Sequence, residues 1–143
     1  MLESRPIAEN LAKNLRLRNC NTNTNLRDIV DGSLYKELRL GDQDFSCSMN
    51  TDGVSPFRSS RFSLTPVLTS INELDYNFRR SNTMLVGLWC SSDKPNYNAF
   101  LKPIVEYCNE LSKTPIQWLA NGSEFSSLVY FPIFVADSVA RCA

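Results

Sequence analysis

Phe45-Ser-Cys-Ser-Met-Asn-Thr-Asp-Gly53 alternates apolar and polar side chains and then breaks. Phe45, Cys47 and Met49 fall on one side and Ser46, Ser48 and Asn50 on the other, the period of two that marks a strand with unlike faces. Asp52 stands at its C-terminal end, and Gly53 lets the chain turn there. Phe62 to Ile71 predicts a second strand, in which Pro66 requires an edge position, a bulge or an interruption. Thr83 to Cys90 predicts a third, and short polar connections make an antiparallel meander the economical topology. The spacing then changes. Phe100, Ile104, Val105, Cys108 and Leu111 recur at helical intervals, with Pro103 expected in the first turn and the helix ending before Thr114-Pro115. Asn121-Gly122 reads as a turn. Leu128 to Ala136 is nearly continuous apolar sequence, as for a parallel strand with helices on both sides, with Pro132 placed in a bulge or the strand starting only at Ile133. A crossover helix before this fourth strand lets it lie parallel beside the first. The expected class is therefore α/β.

Residues 1–44 read as a helical accessory or linker region. Ser4 is placed to cap a helix from Arg5 to Arg18 with Ile7, Leu11 and Leu15 on one stripe and Leu17 leaving it. The polar run Asn19 to Asn25 ends it. Asp31-Gly32 marks a turn, and Ser33 is expected to cap a short helix that buries Leu34 and Leu38.

The chain has 143 residues, 43% of them hydrophobic and 21% charged, which suits one globular domain. Its longest apolar run, Leu128 to Ala136, is far shorter than the roughly 20 residues that span a bilayer. Glu3, Arg5, Glu9 and Lys13 interrupt any signal-peptide-like stretch. Five cysteines, Cys20, Cys47, Cys90, Cys108 and Cys142, show no paired spacing, so reduced thiols in an intracellular protein, nuclear or cytoplasmic, are expected. Fifteen basic and fifteen acidic residues cancel. Residues 53–102 carry Arg58, Arg61, Arg79, Arg80, Lys94 and Lys102 against Glu73, Asp75 and Asp93, a local excess of three positive charges that fits either a modest phosphate-facing patch or a solvated face.

If the first and fourth strands are parallel neighbours, their C-terminal ends bring Asp52 and Asp137 together. Two close carboxylates repel unless a divalent cation supplies the opposite charge, and Mg²⁺ suits oxygen ligands while leaving positions for water and phosphate. Two such ions about 4 Å apart are the device of in-line phosphoryl transfer. The plain alternative is that Asp-Gly is a turn and Asp-Ser a helix start.

The ordered blocks Asn50-Thr-Asp-Gly-Val-Ser-Pro-Phe-Arg-Ser-Ser60, Ile71-Asn-Glu-Leu74, Leu85-Val-Gly-Leu-Trp89, Lys94-Pro-Asn96, Phe100-Leu-Lys-Pro-Ile-Val105 and Ala136-Asp-Ser-Val-Ala-Arg141 resemble, as a series, the start of the catalytic domain of transposases of the CACTA (En/Spm-like) group. The resemblance implies an incomplete ribonuclease-H-like core over residues 45–143. It implies that Asp52 and Asp137 are the first two acids of a three-acid site using Mg²⁺ or Mn²⁺ for DNA strand cleavage and transfer. The third family acid lies downstream of this chain's last residue, Ala143, so the chain is expected to be a fragment without autonomous transposition. Glu73, Glu106, Glu110 and Glu124 are the available substitutes, with Glu106 and Glu110 read as solvent-side and Glu73 and Glu124 near turns.

Arg58 and Arg61 are candidate contacts for DNA phosphate, and Trp89 and Phe57 are either base-stacking or core aromatics. Arg141 lies four residues after Asp137, within pairing distance on a helix. The absence of histidine removes the usual imidazole base. The rival reading is a transposon-derived interaction or structural module that is not an enzyme. In either case, an exposed sheet edge after residue 136 is expected to invite a missing C-terminal segment or another chain.

Overall fold

A computed structural model describes residues 2–20, 25–54, 62–93 and 95–136. The alternating stretch forms strand β1 (Phe45–Thr51), which pairs antiparallel with β2 (Ser63–Ile71), and β2 pairs antiparallel with β3 (Met84–Ser91). After a hairpin of β4 (Ile116–Ala120) and β5 (Ser123–Ser127), strand β6 (Val129–Ala136) returns parallel to β1. The larger sheet has the order β3-β2-β1-β6. The meander, the intervening helix and the parallel fourth strand are thus where the residue pattern puts them, in a mixed α/β architecture.

The two prolines in strands illustrate how a sheet accommodates a missing N–H. Between Ser46 and Ser48, β6 advances from Tyr130 to Ile133, so the extra residue falls at Phe131-Pro132 and forms the expected bulge. Pro66 lies in a central strand, not at an edge. The irregularity beside it is an extra residue, Val86, on the edge strand β3.

One sheet face carries nearly all the packing. Helix α1 (Arg5–Cys20) lays Ile7, Ala8, Leu11, Ala12 and Leu15 into a cluster with Phe45, Cys47, Ile71 and Val129. Trp118 of β4 stacks on Phe125 of β5 in the same cluster, ring centroids 4.4 Å apart. The segment read as accessory or linker therefore contributes its main helix to the shared core. The hairpin itself was not expected. Asn121 and Gly122 adopt φ of 50° and 74°, the two positive values of a two-residue hairpin loop, with Ala120 paired to Ser123 across it.

Helix α2 (Ser33–Glu37) corrects the expected packing: Leu34 is 78% exposed and Leu38 is exposed, whereas Tyr35 is buried. The reason is polar, since Tyr35 meets a buried carboxylate described below. Gly32, not Ser33, occupies the N-cap. After the short helix α3 (Tyr76–Ser81) comes α4 (Tyr97–Leu111), where Asn96 accepts from the Ala99 N–H at 3.2 Å and so sets the start early. Pro103 then falls inside the helix, beyond the first turn, and cannot donate to the Ala99 carbonyl. Helix α4 covers Met49 and Val67 through Phe100, Ile104 and Cys108. Gly87 of β3 makes that approach possible, because a Cβ there would sit 2.8 Å from Ile104 Cδ1.

Among the described residues, no helix flanks the opposite face along β6. Leu85, Leu68, Asn50 and Val135 form a row across all four strands by register, and Leu85 and Val135 are 57% and 54% exposed.

Candidate carboxylate sites at the two ends of β1

At the C-terminal end of β1, Thr51 is buried, donates from Oγ1 to the Pro66 carbonyl at 2.9 Å, and pairs with Ala136 of β6. Asp52 follows and is exposed. Two residues later, Val54 and Leu64 exchange both backbone hydrogen bonds at 2.8 Å. Asp52 is therefore held between two tied points of the ladder, and Gly53 continues toward this bridge instead of reversing the chain. Asp137, Arg58 and Arg61 lie outside the described residues, as do Phe57 and Arg141. Trp89 packs edge-on against Phe100, centroids 5.8 Å apart, a core contact.

The N-terminal end of β1 carries a carboxylate whose role the sequence did not disclose. Glu73, in the turn after β2, is only 4% exposed. Its Oε1 accepts from the Tyr35 hydroxyl at 2.5 Å, the Ser46 N–H at 2.9 Å and the Ser46 hydroxyl at 2.9 Å, while Oε2 accepts from the same N–H at 3.0 Å. The Arg18 guanidinium stands 3.9 Å away and donates to the Tyr35 hydroxyl and to the carbonyls of Gly41 and Asp44. Asn14 donates to the Glu73 carbonyl at 2.9 Å. One side chain thus ties α1, α2 and β1 together. Burial pushes the Glu73 carboxyl above its ordinary range, opposed by the hydrogen bonds from Tyr35 and Ser46. Burial likewise raises the Tyr35 phenol.

Beside it, Arg79 clasps the 3-10 turn Ile29–Asp31 by donating to Asp28 Oδ1 at 2.6 Å and to the Asn72 carbonyl at 2.7 Å. Asn14, Arg18, Asp28, Tyr35, Asn72 and Glu73 line an open cleft of about 530 Å³. Their polar atoms are engaged with one another, which makes the cluster a fastening between elements. A turn residue between Asn72 and Leu74 has no periodicity that would reveal its burial, so only the partners Tyr35 and Ser46 identify it.

Glu73 cannot complete a site with Asp52. Their anchors on β1, Ser46 and Thr51, are separated by about 17 Å at roughly 3.3 Å per strand residue. Glu106, Glu110 and Glu124 are exposed, as expected for the first two. Among the described residues no group of three His, Cys, Asp or Glu side chains is gathered to hold a metal, and no helix is long and apolar enough to cross a membrane. No family model matches the chain, and no curated protein matches its sequence significantly.

Proposed function

We propose that this chain carries the opening segment of a transposase-like, ribonuclease-H-like core, with Asp52 and Asp137 as a pair of divalent-metal ligands facing DNA. The observation that carries the reading is the parallel pairing of Thr51 with Ala136, the residues immediately before the two aspartates. The order β3-β2-β1-β6 with an antiparallel meander supports it. Asp52 fits a cation site in being an exposed oxygen donor on a firmly tied backbone. Bound Mg²⁺ or Mn²⁺ would supply charge neutralisation and activation of an oxygen nucleophile for phosphoryl transfer. The chain's own part is to hold two carboxylates at adjacent strand ends, with Arg58 and Arg61 as candidate phosphate contacts. With Glu73 at the far end of β1, the reading is of metal and DNA binding without autonomous strand transfer, in the nucleus or cytoplasm.

Titration of the purified chain with Mg²⁺ or Mn²⁺, followed by NMR or calorimetry, is expected to show specific binding that the Asp52→Asn, Asp137→Asn double variant lacks. Equal behaviour of a folded parent and a folded variant would remove the metal reading.

A second reading, a module acting by association, is favoured by the row Leu85–Leu68–Asn50–Val135 and by the edge side of β6, which among the described residues have no covering helix and no pairing strand. Sedimentation velocity over a concentration series is expected to show self-association that Leu85→Glu with Val135→Glu abolishes. A parent chain that stays monomeric throughout would count against self-association.

A further inference from the structure

Between α4 and the packed face of the sheet lies an open cavity of about 750 Å³ with no Asp, Glu, Lys or Arg among the described residues that line it. Its wall includes four sulfur side chains, Cys47 and Met49 from β1, Met84 from β3 and Cys108 from α4, of which Cys47, Met49 and Cys108 are buried. These three are 3%, 7% and 9% exposed, so none is a surface sulfur. Cys108 Sγ stands 3.9 Å from Met49 Sδ, and Cys47 precedes Met49 by two residues on the same strand face. Burial pushes both thiols up, and at Cys47 the negative charge of Glu73 and then the neighbouring Cys108 add to it.

Two features of this arrangement select a ligand. Sulfur ligands at about 2.3 Å around a trigonal centre stand about 4.0 Å apart, close to the Cys108–Met49 separation. A thioether among thiols favours a soft cation and disfavours Mg²⁺ or Ca²⁺, which require oxygen.

We propose that Cys47, Met49 and Cys108 form a binding site for a soft monovalent cation, Cu(I), inside the cavity between α4 and the sheet. On loading, the S–H bonds of Cys47 and Cys108 break as each sulfur bonds copper as a thiolate, the Met49 thioether adds the third S–Cu bond through a lone pair, and two protons pass to solvent. Copper enters and remains as Cu(I), so no electron is transferred. This site is independent of Asp52 and Asp137, and its failure would leave the carboxylate reading untouched.

The test is anaerobic titration of the full chain with Cu(I) against a chromophoric Cu(I) chelator. The background for it carries Cys20→Ser, Cys90→Ser and Cys142→Ser, which removes the other thiols. One retained equivalent is expected, with ultraviolet thiolate-to-copper absorption. Cys47→Ser and Cys108→Ser, each added to that background, are expected to weaken retention by at least about tenfold, since even outer-shell partners of a metal contribute that much. Met49→Leu keeps the volume and is expected to weaken retention while leaving thermal unfolding of the copper-free chain nearly unchanged. Should a serine variant fail to fold, Met49→Leu carries the decision alone. Loss of copper binding in the three-serine background, or retention unaffected by Met49→Leu and the foldable serine variants, would overturn the proposal.

Discussion

Glu73→Ala is expected to lower the unfolding free energy by about 3–5 kcal/mol, the range for removing one partner of a buried, hydrogen-bonded charge. The carboxylate accepts from the Ser46 N–H, the Ser46 hydroxyl and the Tyr35 hydroxyl. Alanine leaves these donors without their acceptor and opens a void at the junction of α1, α2 and β1. Glu73→Gln keeps the volume and one acceptor oxygen but turns an NH₂ toward donors, so a smaller loss is expected. Urea unfolding at neutral pH measures both. A loss below about 1 kcal/mol for the alanine variant, in the range of an ordinary surface change, would show that the network does not fasten these elements.

The same residue has a pH signature. Because burial raises the Glu73 carboxyl in the folded chain, the folded state holds that proton more readily than the unfolded state. Its contribution to stability is fully present below the ordinary carboxylate value. It is lost as pH rises from that value through the raised one, and it is flat above. Asp75 acts in the opposite sense, its carboxyl held low by Asn10 and then Asn14, so its contribution fades as pH falls. The difference between parent and Glu73→Gln across the mildly acidic range isolates the Glu73 component. Relative to the glutamine variant, the parent is expected to lose stability as pH rises through that window.

Leu11→Ala is expected to destabilise the chain by about 2–5 kcal/mol, the range for a buried leucine truncated in a core. Leu11 is fully buried, in one cluster with Phe45, Ile71 and Val129 of the main sheet. If α1 is part of that core, thermal unfolding should shift as one transition, detected alike by the helix signal and by Trp118 fluorescence. A helix that served only as a tether would show a loss of about 0.5 kcal/mol or less, with the tryptophan transition unmoved. The comparison decides where the folding unit begins.

The elements legible in the residues are those with local causes. Ile7, Leu11 and Leu15 recur at helical spacing and are buried, while Leu17 leaves the stripe and is 55% exposed. Phe45, Cys47 and Met49 alternate with polar neighbours, and all three face the core. Pro132 announced its bulge because a residue without an N–H is confined within sheets to edge positions, strand starts or bulges. Pro103 misled because a helix start depends on the cap, and Asn96 captures the Ala99 N–H earlier than the proline suggests. The hairpin strands were hidden for another reason: β4 and β5 are short, and their Trp118 and Phe125 acquire meaning only when stacked against each other beside α1.

The sequence by itself determined the strand and helix periods, the Asn121-Gly122 turn and the position of Asp52 at a strand end, since each follows from neighbours a few residues apart. Tertiary structure decided which carboxylate is buried, because the environment of Glu73 is assembled from Arg18, Tyr35 and Ser46, which approach only when three elements dock. It also decided that Tyr35, not Leu34, turns inward. The parallel neighbourhood of the first and last strands follows from the crossover topology, but the pairing of Thr51 with Ala136 across 84 intervening positions is fixed by the register of the whole sheet, which no local pattern encodes.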